Sequence, residues 1–149
     1  MTAILNAIAS LSLDHLPQRV DFQELQGAML HKIRSGGAIA PTHETHHFVV
    51  PGFYVRQWRG ARGTLVFTPI HKQRHSFQVT RGRAVVWTPE SDRQTIEAPH
   101  VGITEPGTQR LLLVLDDIVW TTFHANEDGE TDVAVLESRL ATIPEALPA

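Results

Sequence analysis

Two histidines, His71 and His75, flank the short polar segment 72–74. Imidazole is the side chain best suited to bind a divalent ion or to move a proton near neutral pH. The residues on either side read as strands, so alternation assigns their faces. Leu65, Phe67, Pro69 and His71 share one face before the turn, and His75, Phe77 and Val79 share one face after it. Both imidazoles therefore lie on the more apolar side, which in a barrel points inward. There each ring must satisfy its nitrogens by hydrogen bonds or bind a metal. The chain has no cysteine, so a metal site would need N and O donors and at least one further ligand. His124, closing the run Trp120-Thr121-Thr122-Phe123-His124, is the natural third. Its face is undecided, because Ile118, Trp120, Thr122 and His124 alternate with Val119, Thr121 and Phe123, and both sets are mixed. Without a metal, His71 and His75 read as buried or rim histidines bonded to backbone carbonyls or carboxylates.

A second cluster, His43-Glu44-Thr45-His46-His47, has spacing that could bind a surface ion. Adjacent strand residues point to opposite faces, so solvated histidines are the plainer reading. Arg56, Arg59 and Arg62, with Trp58 among them, form the densest basic group and read as a solvated strand face. With scattered basic residues and a formal net charge of -3, no nucleic-acid partner is expected. Trp58, Trp87 and Trp120 read as packing residues. The chain carries no nucleophile elbow, no Gly-rich phosphate loop and no His-Glu-x-x-His helix. Asp116 and Asp117 are adjacent and suit a hairpin turn better than acid–base work.

The elements that must position these side chains change character along the chain. Ile4, Leu5, Ile8 and Leu11 recur at helical spacing up to Pro17. Asp21 can cap a helix carrying Phe22, Leu25, Met29 and Ile33 and ending at Gly36-Gly37. A histidine-rich connection, 38–47, follows. Short β-rich runs are then expected at 53–58, 64–71, 75–80, 84–88, 94–97, 101–104, 110–115 and 118–124. Turns are expected at Arg81-Gly82, at 89–92, at Pro106-Gly107 and at Asp116-Asp117. After Gly129, Asp132 caps a helix with Val133, Leu136 and Leu140 on one stripe, closed by Pro144. This order predicts a mainly β, antiparallel barrel or jelly roll as a single domain. Residues 1–45 form an N-terminal helical extension, 46–128 the barrel, and 129–149 a C-terminal helix and tail.

A length of 149 residues suits one domain, and a hydrophobic fraction of 42% with 19% charged residues is globular in character. No segment has transmembrane length, and the apolar opening lacks the basic start of a secretory signal. The expectation is an unexported protein without a membrane partner.

Gly63, His71, His75 and Gly82 resemble the first conserved motif of the cupin superfamily, a β-barrel class that often holds a divalent metal. On that resemblance His75 falls where most cupins place a glutamate, and the usual first histidine falls at Pro69. The run Glu105-Pro106-Gly107-Thr108-Gln109-Arg110 is similar to the second motif, with Arg110 where its histidine is expected. Arg110 would bring a permanent charge to the barrel mouth, either to bind an anionic ligand or to pair with an internal acid such as Glu105. A closer resemblance is to small cupin-like proteins of tailed bacteriophages. It rests on His47-Phe48, Gly52-Phe53-Tyr54-Val55-Arg56, Ile70-His71-Lys72, His75, Glu97-Ala98-Pro99, Pro106-Gly107-Thr108 and residues 119–124.

The resemblance implies a cupin barrel and a phage context. The first expected function is a non-enzymatic structural or accessory module of the virion or its assembly, a homo-oligomer or a partner of other phage proteins. It would sit in the host cytoplasm or in the particle, with no cofactor. The alternative is a metal-dependent small-molecule enzyme, an oxygenase or isomerase, with Zn, Fe, Mn or Ni held by His71, His75 and His124.

Overall fold

The structure, a computed structural model, describes residues 13–36 and 43–142. The apolar stripe of residues 4–11, Gly37 and Pro144 lie outside the described residues. A 3-10 turn, Leu13–His15, leads into helix α1, Phe22–Arg34. The Asp21 side chain caps α1 by accepting from Glu24 N at 2.9 Å. Gly36 follows at φ 74°, so the helix stops where the glycines predict.

Among the described residues nine strands follow: β1 (His43–Val50), β2 (Gly52–Gly60), β3 (Leu65–Phe67), β4 (Ile70–His71), β5 (His75–Thr88), β6 (Ser91–Glu97), β7 (His100–Thr104), β8 (Leu111–Asn126) and β9 (Ala141–Thr142). Helix α2, Val133–Leu140, precedes β9 and is capped by Asp132. The main sheet runs β1-β2-β8-β5-β6, with β3 added on β8 and β7 on β5; β4 and β9 form a separate pair. Every pairing is antiparallel. The fold is a cupin-type jelly roll, mainly β, with a helix before it and a helix after it.

Three expectations need correction. Residues 43–47 of the histidine-rich connection are strand: they pair with β2 from His43↔Gly60 onward. Arg81-Gly82 is not a hairpin turn, because β5 runs unbroken from His75 to Thr88, with register shifts against β8 around Arg81. Gly82 does take the positive φ expected of it, 84°, but within a bulge. Asp116-Asp117 likewise lies inside β8, where Asp117 accepts from Arg62 N at 2.9 Å and Asp116 pairs with Arg83 at 3.0 Å.

Among the described residues there are three apolar clusters, one of them Tyr54 with Leu136 and Leu140 of α2, and the two largest share β5 and β8. One joins Phe77, Val79, Ala84, Val86, Ile96, Leu112, Val114, Ile118 and Trp120 inside the barrel. The other packs Val85, Trp87, Leu111, Leu113 and Leu115, from the opposite parity of β5 and β8, against Leu16, Val20, Phe22 and Leu25 of the leading segment. Strands buried on both faces read as continuous apolar runs, and 84–87 and 111–115 are such runs. Trp87 Nε1 donates to Pro17 O at 3.0 Å, and Arg93 Nη1 donates to Leu16 O at 3.0 Å, fastening the leading segment to the sheet. Among the described residues no helix is long and apolar enough to cross a membrane.

Candidate functional site

The three candidate histidines come together. His71 ends β4, whose main chain is bonded to the Pro106–Thr108 turn: His71 N donates to Thr108 O at 3.0 Å, and Gly107 N to His71 O at 2.7 Å. His75 opens β5 and His124 lies near the end of β8. The ring centroids of His71 and His75 are 4.8 Å apart, and those of His75 and His124 4.5 Å. On β8, Ile118, Trp120 and His124 are buried, as is Thr121 of the alternate set, and the contact between the His75 and His124 rings puts His124 on the inward face.

Hydrogen bonds select the tautomers of two rings. His75 Nδ1 lies 3.0 Å from Gln73 O, and a carbonyl can only accept, so Nδ1 carries the proton. That leaves His75 Nε2 as a bare lone pair, buried and without a partner. Thr122 Oγ1 donates to Arg56 O at 3.4 Å and accepts from His124 Nε2 at 2.8 Å. His124 Nδ1 is then the second buried lone pair without a partner. Burial, reinforced by the neighbouring rings and by Arg110 and Arg56, pushes His71 down to about 4. Burial pushes His124 down to about 3 and also lowers His75. All three are neutral at physiological pH, the form in which imidazole binds metal.

Among the described residues no group of three His, Asp or Glu side chains is placed to hold a metal ion. Donor type and charge state are nevertheless those that suit a divalent ion. Each fixed ring also donates its other N–H to the protein, the usual support of a metal-binding histidine.

Other polar groups approach the cluster. Tyr54 of β2 is fully buried, 5.9 Å from the His124 ring, and its hydroxyl lies 2.6 Å from His47 Nδ1. Burial raises the Tyr54 phenol to about 12, so it stays protonated. Arg56 pairs with Glu137 of α2 at 3.0 Å, and Arg59 sits 3.9 Å from Glu44, so the basic group is dispersed. His46 lies 2.9 Å from Glu44 while His47 turns inward; the histidine run is divided between two faces as alternation requires. The side chain of His43 lies outside the described residues. Arg110 does not pair with Glu105, which is engaged by Arg74 at 2.9 Å. Glu105 follows the end of β7, on the exposed side shared by Arg74. Arg110 instead reaches inward and donates to Thr104 Oγ1 at 3.0 Å. The β2–β8 register sets Tyr54 opposite His124, and His47 reaches Tyr54 from β1; the sequence offered His47 only within the surface cluster and Tyr54 only within the family resemblance.

The chain matches no protein-family model and no curated protein in sequence. Solved structures share its fold. Salicylate 1,2-dioxygenase from Pseudoaminobacter salicylatoxidans, seen with gentisate, is similar over 80% of this chain at 17% identity and a TM-score of 0.52. This chain spans only 34% of that protein. An RmlC-like cupin family protein with a double-stranded β-helix fold from Methanocaldococcus jannaschii is 8% identical, covering 59% of this chain and 84% of its own, with a TM-score of 0.48. A protein from Shewanella frigidimarina containing a cupin-2 domain is 7% identical, covering 64% of this chain and 92% of its own, with a TM-score of 0.46. These likenesses concern the fold alone.

Proposed function

We propose that this barrel binds a divalent metal ion through His71, His75 and His124 and acts on a small molecule as a metal-dependent enzyme of the oxygenase or isomerase kind. The observation that carries this reading is the pair of buried imidazole nitrogens, His75 Nε2 and His124 Nδ1, left without partners beside a third neutral ring. A buried lone pair without a donor or a cation is costly, and a shared ion would satisfy both at once. Three protein ligands leave coordination positions open, where a bound ion would supply Lewis-acid or redox chemistry. The chain's own residues hold the rings neutral, orient two of them, and shield the chamber with Phe77, Trp120 and Tyr54. Metal analysis of untagged protein tests it. Stoichiometric Zn, Fe, Mn or Ni, lost in His75→Ala, is the expected result. Metal-free protein whose melting temperature ignores added ions would overturn it.

A second reading, a non-enzymatic structural or accessory module of a phage particle, draws on the outer face of the sheet. Phe48, Val50, Phe53, Val101 and Ile103 are all exposed. The register sets Phe48, Val55, Phe123, Ser76 and Ile103 in one row across five strands. A contiguous apolar face of this kind suits association with a second copy of the chain or with another particle protein. Presence of the gene product in purified particles, with no bound metal, would favour this reading over the first.

A further inference from the structure

Inside the same barrel, Arg110 is a cation with no counter-charge among the described residues. Its main chain is held on both sides, with N donating to Thr68 Oγ1 at 2.9 Å and O accepting from Thr68 N at 2.8 Å. Its guanidinium carbon lies 5.2 Å from the Phe77 ring centroid and 6.0 Å from that of Trp120. One N–H reaches Thr104, which stands opposite His75 across the β5–β7 ladder. The charge is therefore next to the histidine cluster, and it contributes to holding His71 and His75 neutral. Glu105 is taken by Arg74 and Glu137 by Arg56, and among the described residues no ion pair includes Arg110.

A guanidinium presents five N–H donors in a planar fork, and among the described residues one of them is bonded, to Thr104. Withdrawing that charge partly from water is unfavourable, and the two aromatic faces offset only part of the cost. The natural complement of the fork is a carboxylate, which accepts two parallel hydrogen bonds. The surroundings suit a flat, apolar attachment to that carboxylate. Phe77 stacks on Trp120 at 4.6 Å and 17°, and His100 lies along Phe77 at 5.7 Å and 29°. Gly102 makes room for this stack, since a Cβ there would lie 2.5 Å from Phe77 Cζ.

We propose that Arg110 anchors the carboxylate of a small planar organic acid inside the barrel, against the Phe77, Trp120 and His100 rings. The orientation of its reacting end toward His71, His75 and His124 rests on the metal reading above; the anion contact does not. Benzoate, benzamide and inorganic phosphate are titrated into untagged full-length protein, as isolated and after chelation, following tryptophan fluorescence and calorimetry, with metal content measured on each sample. Benzoate is expected to bind, benzamide at least about 10-fold more weakly, and Arg110→Gln to lose roughly 10- to 100-fold in benzoate affinity. Arg110→Lys should fall between, keeping the charge without the fork. Equal binding of benzoate and benzamide by the wild type overturns the proposal without any variant having to fold. So does undiminished benzoate binding by Arg110→Gln, or phosphate binding as tight as benzoate. Benzoate binding that persists after chelation and needs Arg110 sustains the proposal while the metal reading fails. Bound metal with no benzoate affinity does the reverse.

Discussion

Acidifying the metal-free protein should reduce its stability well above the range in which carboxylates titrate. His71 is held down to about 4 and His124 down to about 3, both by burial first. In the unfolded chain each returns to about 6.5, so below that pH the unfolded state binds more protons than the folded one. The folded state is thus penalised as pH falls from about 6.5, and the penalty keeps growing until the folded values are reached. At about pH 5 each unfolded imidazole is almost fully protonated while each folded one is still largely neutral. The cost is about 1.5 pK units, or roughly 2 kcal/mol per histidine and about 4 kcal/mol for the two. Against a typical total of about 5–15 kcal/mol this is a large share, worth a drop of about 10 °C in Tm for a domain of this size. The assay is thermal unfolding by circular dichroism on chelated protein between about pH 7.5 and pH 5. His71→Gln with His124→Gln should flatten the profile, and His71→Gln alone should halve its slope if the double variant is too unstable to measure. A wild-type slope retained in full by these variants would refute the reasoning, because the proton uptake would then lie elsewhere.

Gly82→Val should destabilise the fold by about 3 kcal/mol or more, because a Cβ at φ 84° would collide with the backbone of Asp117 and lie 2.7 Å from Asp116 O. Urea unfolding reads this directly, and a loss below about 1 kcal/mol would show that the bulge relaxes. Leu25→Ala should cost about 2–4 kcal/mol, since Leu25 is 2% exposed within the cluster formed by α1, Trp87 and Leu111. A near-neutral result in the same assay would mean that α1 does not close the barrel in solution.

The inward side of the site was legible because strand alternation on each side of a short turn is a strong constraint: it placed His71 and His75 on the apolar face, and the rings touch. Chain order also made His124 the third candidate, though its mixed alternation hid which face was buried. Of the two roles open to Arg110, the pair with Glu105 does not form, because sequence proximity is a poor guide to ion pairing. Residues 105 and 110 are separated by a turn, while Arg74 lies within reach of Glu105. Arg81-Gly82 and Asp116-Asp117 read as turns in the sequence because bulges use the same residues as turns, glycine at positive φ and short acids bonded to backbone. Strand β1 escaped because its start, His43-Glu44-Thr45-His46-His47, is polar on both parities, as an edge strand can be. The helical stripe of α1 was visible, but its partner was recorded only indirectly, in the two-sided apolar runs of β5 and β8.

The bulge around Gly82 acts as a phase shifter along β5. Before it, odd-numbered residues, His75, Phe77 and Val79, face the chamber; beyond it, even-numbered Ala84 and Val86 join the same cluster, while Val85 and Trp87 turn to α1. The inward aim of His75 is therefore set about seven positions away, by the irregular stretch of the β5–β8 ladder between Val79 and Ala84. Excising a bulge residue would restore uniform alternation and rotate His75 outward, putting Ser76 and Gln78 in the chamber. Insertions and deletions at this point would change which side chains line the interior without substituting any residue of 75–79.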